Sequence, residues 1–286
     1  MNHQNLFAKK ISIGKNTHIE PTAIIRGLNG LAEEIYIGDN VYIGHYVEII
    51  CDWFAVGDYG KIHHHTNIHG YQPCHIGHNL WCGQHSVIDS IGGTTIGNNC
   101  GIGAYSQLWS HIKYGDTLEG CRFYSQHSLN IGNDVWFVGH CVVSPITAHD
   151  KSMALLGSVI TDDMLPNTLY GGVPARDMTD KMGRPFEPVT IENKLHKMKQ
   201  YVQQSGINPD AVRIVRSIND FEDDGRSYFA VDTRQYLKLS TTDEVNFMKY
   251  LLPQRAKFVP YNQNPPAFET YQRNTSLPKM PWEWEE

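Results

Sequence analysis

An apolar residue returns every six positions through the first part of the chain. Ile13, Ile19 and Ile25 open the series, followed by Ile37, Ile43 and Ile49, then by Ile62 and Ile68. It runs on through Ile76, Cys82 and Ile88, through Ile96, Ile102 and Leu108 and, after an interruption, through Ile131, Phe137 and Val143. Small or apolar residues fill the slot four places later, as at Val41, Val47, Thr66, Ser86, Cys100, Ser106, Val135 and Cys141. A period of six is neither the 3.6 of an amphipathic helix nor the plain alternation of an antiparallel strand. Fixed-period self-similarity describes a solenoid, in which each repeat buries its apolar face only against its neighbours. Three hexads close one triangular coil: a short strand on each face points its aliphatic side chain inward, and stacked coils join those side chains into one core. The expected fold is mainly β, a parallel β-helix. Ile13-Gly14, Ile37-Gly38, Ile76-Gly77, Ile96-Gly97 and Ile131-Gly132 begin their coils with the same pair, and glycine in that place suits a tight corner.

The interruption falls in "SQLWSHIKYGDTLEGCRFYSQHS", residues 106 to 128. An extended loop over residues 109–130 leaves the flat wall of the solenoid here and is free to complete a pocket. The helical domain is expected over residues 1–180, and a small α+β appendage over 181–286. In the appendage, Ile191, Leu195, Met198 and Val202 recur at helical spacing with Gly206 as a stop, and this apolar stripe is expected to cap the prism. "VRIVRS" and "SYFAVDTRQYLKL" read as strands, and "TTDEVNFMKYLLP" as a helix with Thr241 and Glu244 forming a capping box and Pro253 marking its end. The tail "LPKMPWEWEE" reads as exposed or docked on a partner.

Composition narrows the classes. At 286 residues and 41% apolar content the chain fills a sizeable core, and a net charge of −6 argues against nucleic acid as a general partner while allowing a local basic pocket. Six cysteines without paired spacing argue against a disulfide framework or a zinc ribbon. The start, "MNHQNLFAKK", carries no leader-like apolar run, and no stretch is apolar enough to span a membrane, so a cytoplasmic protein is expected.

The hexads, together with the closing segment "GSVITDDMLPNTLYGGVPAR" at 157–176, resemble the hexapeptide-repeat acyltransferases, a family of left-handed parallel β-helices. The resemblance covers residues 11 to 178 and is nearest to members that acetylate sugars or nucleotide-linked sugars. The long N-terminal helical domain of the serine acetyltransferases is not present in it. The resemblance implies a left-handed coil, a homotrimer, acetyl-CoA as acyl donor in a groove between subunits, and a sugar amine or hydroxyl as acceptor. It also implies cofactor contacts. Gly172, Pro174, Ala175 and Arg176 match the segment that lies against the adenine and phosphates, Arg176 being suited to a phosphate. Ser144, Gly157 and Ser158 are expected to line the pantetheine groove through their backbone amides.

An attacking amine or hydroxyl must lose a proton, and imidazole titrates near neutral pH, so one of the fifteen histidines is the natural general base. In this family that histidine commonly sits where a coil meets an extended loop, which favours His111 in "AYSQLWSH". His140 and His127 remain alternatives, and His85 is a weaker one on an outer wall. His63, His64 and His65 fall at outward or corner positions, and Trp136 and Phe137 read as packing residues. Two other classes stay open. One is a zinc enzyme like the γ-carbonic anhydrases, for which His64 and His69 have a suitable spacing but the third histidine is missing, the nearest being His45. The other is a non-catalytic β-helix scaffold whose loop binds a protein.

Overall fold

The computed structural model describes residues 5–269. The tail read as exposed or docked lies outside the described residues. By its contacts the described chain divides into two units, one holding residues 5–186 and 265–269, the other Glu187–Asn264. The boundary therefore falls past the 180 expected from composition, and the second unit ends before residue 265.

The first unit is the expected parallel β-helix, built from three columns of short parallel strands. On one face Ile37, Val56, Ile76, Ile96, Ile131 and Ala148 pair in register from coil to coil. On the second face the column is Ile19, Ile43, Ile62, Cys82, Ile102, Phe137 and Ala154. On the third it is Ile25, Ile49, Ile68, Ile88, Leu108, Val143 and Ile160. These side chains form one buried cluster, apart from the half-buried Ile19 at the start of its column. Burying each isoleucine is worth about 1.5–3 kcal/mol relative to leaving it exposed. Val56, Ala148, Ala154 and Ile160 extend the series beyond the residues evident from spacing alone. The final strand, Leu169–Gly172, turns back antiparallel into Ala175–Asp177.

The glycines after the aliphatic residues do not make the corners. None of Gly14, Gly38, Gly77, Gly97 and Gly132 has positive φ; the left-handed conformation falls two residues after the glycine, at Asn16, Asn40, Asn79, Asn99 and Asp134. Asparagine and aspartate tolerate that region better than other non-glycine residues. The glycines serve close approach instead: a Cβ on Gly38 would stand 2.6 Å from Asp58 Oδ1, and one on Gly77 2.6 Å from Asn98 Oδ1.

The interruption is a β-hairpin in which His111–Lys113 pairs antiparallel with Tyr124–Gln126. It leaves the third-face strand Gln107–Leu108 and returns to the first face at Leu129–Ile131.

The second unit has a four-stranded sheet in the order Val212–Val215, Ser227–Ala230, Gln235–Tyr236, Val259–Pro260. The expected helix is Ile191–Ser205, with Thr190 as N-cap and Gly206 in the left-handed C-cap. A second helix, Thr242–Leu251, is capped by Thr241, whose side chain accepts from Glu244 N. The expected capping box is only half made. Glu244 turns inward and its Oε2 accepts from Ser227 Oγ at 2.6 Å, Leu239 N at 2.5 Å and Ser240 N at 3.1 Å. Phe229 is the centre of this core, its ring 5.1–5.3 Å from those of Tyr236, Phe247 and Phe258.

Candidate functional site

Where the hairpin leaves the prism, a carboxylate lies under a histidine. Asp89 directly follows the core residue Ile88 on the third face and is fully buried. Its Oδ2 accepts from Ser110 N at 2.9 Å, from Ser110 Oγ at 2.5 Å and from His111 Nδ1 at 2.8 Å. A buried carboxylate is tolerated only when its oxygens are hydrogen-bonded in this way. Ser110 is locked in turn, because its Oγ accepts from Gly92 N at 2.9 Å. With Asp89 as acceptor, His111 carries its proton on Nδ1, and Nε2 keeps a lone pair. The imidazole is 20% exposed, packed edge-on against Trp109 at 6.1 Å between centroids. It is thus oriented from below and open to a small molecule from above.

A second histidine approaches the same carboxylate. His69 pairs in register with Asp89 on the adjacent coil, and its Nε2 lies 3.4 Å from Asp89 Oδ1. Asn67 Nδ2 donates to Glu48 Oε2 at 3.2 Å, which turns Asn67 Oδ1 toward His69 Nδ1 at 2.6 Å. The two ring nitrogens of His69 thus each face an acceptor oxygen, Asn67 Oδ1 and Asp89 Oδ1. Burial holds its pKa below the ordinary histidine value, with Asp89 opposing that shift and His111 adding to it. One polar row, Glu48, Asn67, His69, Asp89 and His111, runs across successive coils.

The other histidine candidates lie elsewhere. His140 and His85 belong to a stacked column, Tyr46, His65, His85, Tyr105 and His140, with centroids 4.8–5.0 Å apart. All five have positive φ and form one corner of the prism. His127 is exposed beyond the hairpin's second strand. Phe137 is core, whereas Trp136 is 47% exposed on the second face. His64 makes edge contacts with His65 and His85, while His69 turns to Asp89. Among the described residues no three His, Cys, Asp or Glu side chains are grouped so as to hold a metal ion.

At the closing segment, Gly172 has a φ of +97°, Ala175 is buried and Arg176 is exposed. Arg176 Nη1 donates to Ala175 O at 3.0 Å. Val173-Pro174 is cis. The amides expected to line a groove are already engaged: Ser144 N donates to Ile160 O, Gly157 N to Gly139 O and Ser158 N to Leu155 O. Ser158 is fully buried, with Oγ on Leu155 O at 2.7 Å. None of these three amides offers a free donor: those of Ser144 and Gly157 are taken up between coils and that of Ser158 within a turn.

Sequence reasoning missed Asp89 altogether and weighed His69 only as a metal ligand. The usable signal was positional: each follows a third-face core residue, one coil apart.

Fold and site together define a hexapeptide-repeat β-helix protein with a histidine–carboxylate pair at the root of its looped-out coil. No family model matches the chain. Over 136 residues it is 33% identical to the galactoside O-acetyltransferase of Escherichia coli (strain K12), covering 46% of this chain and 63% of that relative. The chain thus spans a little under two thirds of that relative's length. The match agrees with the resemblance to the hexapeptide-repeat acyltransferases. Among solved structures, the polysialic acid O-acetyltransferase OatWY is similar with a TM-score of 0.37 at 15% identity, covering 66% of this chain and 95% of that one. The hexapeptide-repeat acetyltransferase VCA0836 of Vibrio cholerae O1 biovar eltor, complexed with acetyl coenzyme A, is similar with a TM-score of 0.34 at 20% identity, covering 50% and 69%. At these scores neither likeness adds to the fold read directly from the strand pairing.

No helix among the described residues is long and apolar enough to cross a membrane.

Proposed function

We propose that the protein transfers an acetyl group from acetyl-CoA to a hydroxyl or amino group of a sugar or nucleotide-linked sugar, with His111 as general base and Asp89 as its positioning residue. The observation that carries this reading is the 2.8 Å hydrogen bond from His111 Nδ1 to the buried carboxylate of Asp89. In the neutral ring this bond takes the Nδ1 proton and points the Nε2 lone pair outward, as a proton acceptor requires. The identity with a galactoside O-acetyltransferase supports an acyl-transfer role and favours a sugar hydroxyl as acceptor.

Acetyl-CoA supplies the activated acyl group as a thioester. Nε2 of His111 takes the acceptor proton as the acceptor oxygen or nitrogen attacks the thioester carbonyl. Asp89 stabilises the imidazolium so formed without itself taking the proton. When the carbon–sulfur bond breaks, the same proton passes from Nε2 to the departing sulfur, which restores the neutral ring. Arg176, exposed beside the Gly172 turn, fits a CoA phosphate through its guanidinium. The hairpin supports a homotrimer in which it reaches a neighbouring subunit. Ile112, Tyr114, Leu118, Phe123 and Tyr124 are 51–101% exposed on it, an apolar surface that suits a contact.

The test is thiol release from acetyl-CoA across a panel of galactosides, glucosides and nucleotide-linked aminosugars. Release with at least one acceptor is expected. Folded protein that binds acetyl-CoA yet releases thiol with none of them would overturn the reading, and failure to bind acetyl-CoA in calorimetry would favour a scaffold.

A further inference from the structure

The Glu187–Asn264 unit holds a cavity of about 260 Å³ whose lining includes Lys194, Lys197, Arg234, Arg255 and Lys257, and no Asp or Glu. Five cations around one small cavity run against the chain's net charge of −6. Helical spacing produces part of the cluster: Lys194, Lys197 and Tyr201 lie on one face of the helix Ile191–Ser205. The Lys197 ammonium sits over the Tyr201 ring, 4.9 Å from its centroid, which holds the charge at the cavity wall. Arg234 and Arg255 come from the other side, both on left-handed turns with φ of +55° and +61°.

Three carboxylates of this unit, Asp210, Glu192 and Asp224, pair with other arginines. These pairs are Arg213–Asp210, Arg216–Glu192 and Arg226–Asp224. Among the described residues none of them involves Lys194, Lys197 or Arg255. The like charges of Lys194, Lys197 and Arg255, gathered at one cavity, favour recruitment of a group of opposite sign. Apolar surface completes the site, since Met198, Val231 and Phe258 are at most 5% exposed and also line the cavity. The space lies near the lower end of small-molecule sites, large enough for a compact ligand.

We propose that this cavity binds a small organic phosphate, a nucleoside diphosphate or a sugar phosphate, at a site built wholly from the second unit. The lysines and arginines take the phosphoryl oxygens as charge-assisted partners. Tyr201 and the apolar floor take the ring or sugar body. The site is additional to the proposed acyl transfer and does not depend on it.

Calorimetry on the full chain at low salt tests it with UDP, glucose 1-phosphate, inorganic pyrophosphate and uridine. UDP or glucose 1-phosphate should bind and uridine should not, with affinity falling as salt rises. Pyrophosphate binding as tightly as either would reduce the site to one for the phosphoryl group alone and overturn the role of the floor. The double variant Lys194→Gln/Lys197→Gln keeps helix propensity nearly unchanged, and it should weaken binding at least tenfold while circular dichroism and acetyl-CoA binding stay as in the wild type. Single Lys257→Gln serves as a second variant with the same expectation of weakening. The proposal fails if no phosphorylated ligand binds at millimolar concentration. It also fails if uridine binds as well as UDP, if the lysine variants bind normally, or if CoA displaces the ligand and Arg176→Ala abolishes its binding.

Discussion

Asp89 and His111 are 22 positions apart in the chain and 2.8 Å apart in space, and the chemistry of the proposed site depends on that convergence. His111→Ala should lower turnover by about 10²–10⁴, the range for a lost general base, while acetyl-CoA affinity measured by calorimetry stays within a few-fold. Turnover that survives within a few-fold would move the role to another histidine. Asp89→Asn is the sharper substitution, because the oxygen that faces Nδ1 also accepts from Ser110 N, so the amide oxygen takes its place and the change removes chiefly the negative charge. The imidazolium formed during proton transfer then loses its stabilising partner, and turnover should drop by at least about 10². A thermal melt near that of the wild type would confirm that the loss is chemical. His111 stood out as a candidate in the sequence because the six-residue rhythm breaks beside it. Asp89 was not, since an acid after a repeat residue looks like any solvated position until coil register sets His69 beside it and the hairpin folds His111 over it. The same limit explains Ser144, Gly157 and Ser158: which amides a coil leaves free is decided by the ladder, and spacing says nothing of it.

Hexads alone disclose the columns of the prism, because an inward side chain every six residues is the condition for a triangular coil to have a core at all. What they leave open is the backbone at each corner. The spacing of Ile76-Gly77 is compatible with a glycine that turns or a glycine that makes room, and the structure selects the second. Coil stacking brings Asn98 N to 2.9 Å and its Oδ1 to 2.6 Å from where a Cβ on Gly77 would stand. Gly77→Ala should therefore destabilise the helical unit by about 1–3 kcal/mol, the usual cost of overpacking, read as a lowered denaturant midpoint with unchanged slope. A neutral result would mean that the coils separate by a few tenths of an ångström at little cost. Glu244 teaches a related lesson in the second unit. Its spacing from Thr241 fits a capping box, but the unsatisfied amides of Leu239 and Ser240 and the Ser227 hydroxyl compete for the same carboxylate, and tertiary partners win.

For the molecule as a whole, three histidines set the response to acid. His63, His69 and His75 have pKa values lowered, in each case first by burial. Folded protein resists protonating them, whereas the unfolded chain takes up protons near pH 6.5. Their contribution to stability is complete above that pH and is lost as pH falls through the lowered folded values. The unfolding midpoint should decline below about pH 6.5, and His75→Gln, whose ring meets Pro265 O at 3.4 Å, should flatten that decline. Assembly is the larger question, and the hairpin frames it. Tyr114, Leu118 and Phe123 are 101%, 94% and 80% exposed, apolar surface that water disfavours and that a neighbouring subunit would cover. Three chains joined by heterologous contacts around a threefold axis form a closed ring, with three equivalent grooves each walled by two chains. Light scattering at micromolar concentration should give three times the chain mass, and serine at Tyr114, Leu118 and Phe123 together should lower it. If a groove takes His111 from one chain and Arg176 from the next, His111→Ala and Arg176→Ala chains are both weak alone. Mixed by unfolding and refolding together, they should regain activity, because some grooves then combine two intact walls. A monomer would remove the premise, and a trimer without rescue would place both residues on one chain's side of the groove.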